Sequence, residues 1–391
     1  MRTQVGIVGA GPAGLLLAHL LHLRGVESVV VEARSRDYVE HRIRAGVLEQ
    51  GTVDLLVASG VGERLQREGL KHHGIELRFG GRSHRIDMTE LTSGRAITVY
   101  GQQEVVKDLI RARQDAGCAP LFEASEVSVH ALDTPQPRIR FRHGGEEVEL
   151  ACDAIAGCDG FHGICRPAVP GGALGVFERS YPFAWLGILA EAAPSHEELI
   201  YAYHDRGFAL FSMRSPSITR LYLQVPPDED IGQWSDDRIW QELHTRLETD
   251  DGWKLNEGRV LEKGITGMRS FVTEPMRYGR LFLAGDAAHI VPPTGAKGMN
   301  LAVADVHVLA RALVSLFTTG REDLVDAYSQ TCLKRVWRAE HFSWWMTSML
   351  HRFPGDDVFQ HRLQRSQLDY VVGSRAAAAS LAENYVGLPL E

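Results

Sequence analysis

The chain opens on a short apolar run, Thr3 to Val8, followed by Gly9-Ala10-Gly11-Pro12-Ala13-Gly14 and a longer apolar stretch from Leu15 to Leu23. A brief apolar run bounded by glycine predicts a buried strand, and the longer stretch behind it a helix. A second strand, Ser28 to Val31, ends in Glu32. The strand-then-glycine pattern returns twice downstream. One instance is Asp153-Ala154-Ile155-Ala156-Gly157-Cys158-Asp159-Gly160, with Arg166 shortly after. The other is Leu281-Phe282-Leu283-Ala284-Gly285-Asp286-Ala287-Ala288-His289, which leads through Pro292-Pro293-Thr294-Gly295 to a helix starting near Gly298.

Between these segments the pattern alternates. Leu199 to Tyr203, Phe208 to Arg214 and Arg220 to Val225 predict strands, the last two separated by Ser215-Pro216-Ser217-Ile218-Thr219, a turn by composition. Residues 76 to 100 read as further strands around Gly80-Gly81 that extend the same sheet. Leu301 to Phe317 and Leu324 to Leu350 predict long helices. Phe342, Trp344, Trp345 and Met346 in the second are assigned to the core, with a subunit interface as the alternative.

A length of 391 residues implies two or three domains. Forty-two Lys and Arg against 50 Asp and Glu leave a net charge of -8, which argues against a nucleic acid or an anionic membrane as partner. No uninterrupted apolar run reaches the ~18 residues of a membrane span. Gly9, Gly11, Pro12 and Gly14 break the N-terminal run, so it is read as mature protein rather than a signal peptide. Five cysteines without C-x-x-C spacing point to the reducing cytoplasm and away from disulfides or zinc. His72, His73 and His289 lack a ligand at metal spacing and are read as polar or helix-end residues.

The first turn has the order a dinucleotide site needs. Gly9 permits the tight turn, Gly11 lets a pyrophosphate approach the backbone, and Gly14 lets helix pack on strand. Helix N–H groups then face the phosphates, and Glu32 is placed for a ribose. The two later segments shift this toward a flavin, because Asp159 and Asp286 at strand ends suit a ribityl chain. The helix start from Gly295 to Asn300, including Gly298 and Met299, offers a positive end to a reduced flavin. In the hairpin, Arg214 opposite Arg220 would set Ser212 opposite Tyr222 and Leu210 opposite Gln224. That puts two cations and two hydroxyls on one face, a site for a small carboxylate.

The trio of Gly9-x-Gly11-x-x-Gly14, Cys158-Asp159-Gly160 and Gly285-Asp286 resembles the single-component FAD-dependent aromatic hydroxylases. Arg42-Ile43-Arg44-Ala45-Gly46-Val47-Leu48-Glu49-Gln50, Ala284 to Asn300 and Glu383 to Pro389 narrow the resemblance to the branch acting on 4-hydroxybenzoate, along the whole chain. It implies an α/β fold: a Rossmann-like FAD-binding domain at 1-175, a β-sheet substrate domain at 176-280, and a flavin-contacting, helical region at 281-391. It also implies a homodimer. By the same resemblance Arg214, Ser212 and Tyr222 bind the substrate carboxylate, and Tyr201 takes the phenol's proton and passes it to Tyr385. The Pro293 carbonyl lies near the same oxygen, and His72 relays the proton to solvent. FAD is held by Gln102, Asn300, Arg42, Arg44 and Arg220 besides the acids and glycines. Reduced by NADPH or NADH, it combines with O2 as a C4a-hydroperoxide and yields 3,4-dihydroxybenzoate.

Nicotinamide contacts are expected at Arg34, Tyr38, Arg42, Arg44, His162 and Arg269. Well-known NADPH-specific members carry an arginine where this chain has Ala33, and Glu40 adds negative charge nearby, so the expectation is dual use or preference for NADH. The alternatives are a hydroxylase of another phenolic acid in the same fold and a non-catalytic flavin-fold binding protein.

Overall fold

A computed structural model describes residues 1–42 and 46–390. Its five-stranded nucleotide sheet has the order Arg277–Tyr278, Leu281–Leu283, Ala154–Gly157, Val5–Val8 and Ser28–Val31. All but the first strand run parallel. Val5–Val8 and Ala154–Gly157 are buried throughout, as strands covered on both faces must be. The three glycine segments follow three adjacent parallel strands, so they meet at one carboxyl edge of the sheet, where open α/β sheets bind ligands. Sequence distances of more than 100 residues collapse there to neighbouring loops.

The second sheet has eight strands, in the order His289–Ile290, Arg259–Glu274, Gly175–Glu191, Ile218–Val225, Ala209–Ser215, Leu199–Ala202, Gly74–Phe79 and Arg82–Asp87. It draws strands from three parts of the chain, with Gly74–Phe79 parallel to Leu199–Ala202. Ile97–Val99 lies elsewhere, pairing with Val47–Leu48 and Leu70–His72.

The hairpin register differs from expectation. Ser215 pairs with Ile218, so the turn is only Pro216-Ser217, and Ser212 faces Arg220 while Leu210 faces Tyr222. β-Branched Ile218 and Thr219 extend the strand, and Pro216 supplies the turn. Arg214 falls at a register shift between Met213 and Ser215 rather than opposite Arg220. Because partners move by two positions and not one, Ser212, Arg220 and Tyr222 still share a face. Tyr201 pairs with Leu210 and joins them. The opposite face, with Phe211, Leu221 and Leu223, packs on Trp234, Ile239, Trp240 and Leu243.

The Gly298–Thr319 helix is the one among the described residues long and apolar enough to cross a membrane. Here it is a core element, packed on Pro12–His22 and Asp323–Leu350, with Val306, Leu309 and Leu313 fully buried. In Asp323–Leu350, Phe342 and Met346 are core residues, Trp345 is half-buried and Trp344 is exposed.

Candidate active site

At the nucleotide end each glycine has a different reason to be glycine. Gly9 has φ +105°, and a Cβ there would stand 2.4 Å from the Cys158 carbonyl oxygen. A Cβ at Gly14 would stand 2.0 Å from the Gly9 oxygen, whereas one at Gly11 would meet no atom within 4 Å. Gly9 and Gly14 thus serve the fold, and Gly11 faces open space. The Pro12–His22 helix lacks a side-chain cap, which leaves its first N–H groups for a ligand. Glu32 Oε2 accepts from Ala10 N–H at 2.7 Å and Oε1 from Arg34 N–H at 2.8 Å. It therefore braces the loop, with a lone pair left on each oxygen.

Asp159 Oδ2 accepts from Cys165 N–H at 2.8 Å, while Oδ1 is buried without a partner, and burial raises its pKa. Asp286 is half-buried beside Gly285, and Gly160 and Gly298, like Gly11, border open space. Half-buried Gln102 starts a helix and half-buried Met299 lies in the first turn of another. The Asn300 side chain is fully engaged within the protein. Its Oδ1 accepts from Glu49 N–H and Thr52 Oγ1, and its Nδ2 donates to the Val47 and Ala296 carbonyls. Its expected flavin contact is left to the backbone. Arg44 lies outside the described residues. The buried, unpartnered Oδ1 of Asp159, an uncapped helix start, and Gly11 and Gly160 facing open space at one sheet edge fit FAD.

Tyr201 on the second sheet and Tyr385 on the Arg375–Val386 helix are 2% and 1% exposed and joined hydroxyl to hydroxyl. Burial raises both pKa values above the ordinary tyrosine range. Arg214 Nη1 donates to Ser212 Oγ at 3.0 Å and to the Met213 carbonyl at 3.2 Å, and its Nε has no partner. Burial lowers its pKa, and the Tyr222 hydroxyl opposes this. Among the described residues no carboxylate pairs with Arg214. Arg220 lies over the Tyr222 ring at 5.4 Å, with Glu262 3.9 Å away. The Pro293 carbonyl accepts from Ala296 N–H at 2.9 Å, closing a tight turn. His72 is buried with neither ring nitrogen partnered, and burial pushes its pKa down to about 4.

The expected nicotinamide contacts form two groups. Arg34 and Arg42 lie over the Tyr38 ring at 5.4 and 5.7 Å, and Glu40 is paired with Arg36 at 2.7 Å. His162 meets the edge of Phe161, whose face carries Arg269 at 4.9 Å and Arg166 at 4.6 Å. Among the described residues no three His, Cys, Asp or Glu side chains form a metal site.

An FAD-binding-domain family matches residues 2–343. Over 391 residues the chain is 52% identical to a p-hydroxybenzoate hydroxylase of Acinetobacter baylyi, covering 100% of this chain and 96% of that one. The chain belongs to the FAD-binding aromatic hydroxylases. Its fold is shared with p-nitrophenol 4-monooxygenase of Pseudomonas putida at TM-score 0.84 and 19% identity, covering 97% of each chain. Aklavinone-11 hydroxylase, solved with FAD and aklavinone, superposes at TM-score 0.74 and 22% identity, covering 89% of this chain and 69% of that one.

Three features of this hydroxylase escape sequence reading. Trp185 donates from Nε1 to His351 Nε2 at 2.7 Å and packs on Tyr222 at 4.9 Å. His351 is stacked on Phe208 at 4.3 Å, and burial pushes its pKa down to about 3. With Nε2 accepting, Nδ1–H donates to the Thr347 carbonyl, so the imidazole is neutral in one tautomer. No local signal joins residues 166 apart. Lys297, buried, reaches Glu49 Oε1 at 2.6 Å and the Asn384 and Tyr385 carbonyls. A lysine just before an apolar helix was its one visible cue. The third is Asp305, a lone acid in an apolar helix.

Proposed function

We propose that the protein hydroxylates 4-hydroxybenzoate to 3,4-dihydroxybenzoate with FAD, O2 and NAD(P)H. The observation that carries this is the buried hydroxyl pair between Tyr201, on the sheet that presents Arg214, and Tyr385 of the C-terminal helix, with no carboxylate on Arg214 among the described residues. The 52% identity to a hydroxylase of that name supports the substrate. Gly11, Asp159, Asp286 and the Gly298–Asn300 backbone hold FAD, which when bound accepts hydride from NAD(P)H and delivers one oxygen atom of O2 to the ring.

The protein's part is orientation and proton management. Arg214, with Ser212 and Tyr222, anchors the carboxylate, bidentate if both guanidinium edges engage. The ring then lies along the sheet face, with its hydroxyl toward Tyr201. Tyr201 accepts the phenolic proton as its own passes to Tyr385, leaving a phenolate whose ortho carbon is electron-rich. A tyrosine is a weak base, so two hydroxyls in series move the proton without either ionising. His72, neutral and partnerless, continues the route through water to solvent. The Pro293 carbonyl orients the same oxygen, and Trp185 walls the pocket and excludes water.

Arg34, Tyr38, Arg42, His162 and Arg269 receive the nicotinamide nucleotide. With Ala33 and Glu40 where a 2′-phosphate would want a cation, NADH serves at least as well as NADPH. The free cysteines support a cytoplasmic protein. Exposed Val358, Phe359, Leu363 and Tyr370 on the Val358–Gly373 helix support a homodimer. The test is NADH and NADPH oxidation by the purified protein with 4-hydroxybenzoate, 3-hydroxybenzoate and an aminobenzoate. Stimulation should be greatest with 4-hydroxybenzoate. Greater stimulation by another acid reassigns the substrate, and a strong preference for NADPH, about a hundredfold in kcat/KM, overturns the nucleotide assignment.

A further inference from the structure

Beneath the Gly285–Ala287 turn lies a carboxylate that the hydroxylation chemistry leaves unused. Asp305 is the one acid between Leu301 and Phe317, and its side chain is 2% exposed. Its Oδ2 accepts from Gly285 N–H at 2.9 Å and pairs with His289 Nε2 at 2.6 Å. Gly285 sits at φ +62°, and a Cβ there would stand 3.1 Å from the Ala302 methyl. Ala302 and Asp305 are three apart on one helix face, so that face touches the turn at two points. A buried carboxylate with two donors from one loop holds that loop more firmly than a neutral acceptor would. The donors come from residues on either side of Asp286.

We propose that Asp305 is a positioning residue for the flavin: by holding Gly285 and His289 from below, it fixes Asp286 between them in the orientation that binds the cofactor. This rests on assigning the Gly285–Asp286 turn to FAD. The same helix that starts at Gly298 then sets both the backbone and the acid that FAD meets.

The test is titration of FAD onto the full-length protein, read by flavin fluorescence and absorbance, alongside thermal melts. Asp305→Asn keeps the size but not the charge, and Asp305→Ala removes both. The first should raise the FAD Kd about tenfold, the loss of one charge-assisted hydrogen bond, and the second further. Leu313→Ala, fully buried farther along the same helix, serves as control. It should lower Tm as much and leave Kd within about twofold. An Asp305→Asn Kd within about twofold of wild type overturns the proposal, as does an equal loss in Leu313→Ala. If the alanine variant does not fold, the asparagine variant decides. Asp286→Ala separates the two layers: should it bind FAD like wild type, the turn is not a flavin contact and the proposal falls with it. Weakened FAD in Asp286→Ala beside unchanged FAD in Asp305→Asn overturns the proposal alone.

Discussion

A guanidinium held by a serine hydroxyl and a main-chain carbonyl, with its Nε unpartnered, is incomplete without an anion. Removing Arg214 leaves the substrate carboxylate desolvated and unpaired, at a cost on the order of 3–5 kcal/mol if the site is fully dry. Arg214→Ala should therefore raise the Kd of 4-hydroxybenzoate by about two decades in an equilibrium titration, and a shift under about threefold contradicts its role. The tyrosines act differently. Tyr385 also packs on Phe342, so Tyr385→Phe keeps the ring contacts and removes only the hydroxyl that receives the Tyr201 proton. Product formed per NAD(P)H consumed should drop at least about tenfold with substrate affinity little changed. Unchanged coupling would remove Tyr385 from the proton path. Arg214, Ser212 and Tyr222 were legible because hydroxyls and cations recur at period two. Tyr201 and Tyr385 needed the resemblance, and the Trp185–His351 bond arises only once the fold brings them together.

At the scale of elements, the three strand–glycine segments were readable because each turn leaves a local mark: an apolar run, a glycine, an acid. That they meet at one edge follows from parallel pairing of Val5–Val8, Ala154–Gly157 and Leu281–Leu283. The hairpin was harder. Composition marked a five-residue turn, yet the ladder continues through Ile218 and Thr219, and the register moved by two residues. The face survived because side-chain alternation has the same period. The glycines give a sharp contrast for measurement. Gly14→Ala drives a methyl against the Gly9 carbonyl and should lower Tm by several degrees. Gly11→Ala meets no atom within 4 Å among the described residues and should leave Tm unchanged, while weakening FAD on the order of tenfold as the phosphate's backbone contacts lengthen. Equal effects of the two variants on Tm would contradict the division of labour.

For the molecule as a whole, buried titratable groups set the response to pH. Burial holds His72 at about 4 and His351 at about 3, against an ordinary 6.5, and lifts Glu340 from 4.5 to about 7. The histidine contribution is complete above pH 6.5 and is lost as pH falls through 4. Glu340 contributes below pH 4.5, and this is lost as pH rises through 7. Between these limits unfolding takes up about two protons on the histidines and releases about one from Glu340, so stability rises with pH. Urea midpoints should increase from about pH 5 to 6.5, and His72→Asn should flatten the slope. A flat wild-type profile contradicts the assignment. The net charge of -8 says nothing of the local field, where Arg214 and Arg220 share one sheet region and Arg34 and Arg42 gather over the Tyr38 ring. The most direct test of the central claim is to identify the product formed by the purified protein with FAD, NADH, O2 and 4-hydroxybenzoate. The account predicts 3,4-dihydroxybenzoate in proportion to the NADH consumed. NADH oxidation without that product, or no oxidation with either nicotinamide, would contradict it.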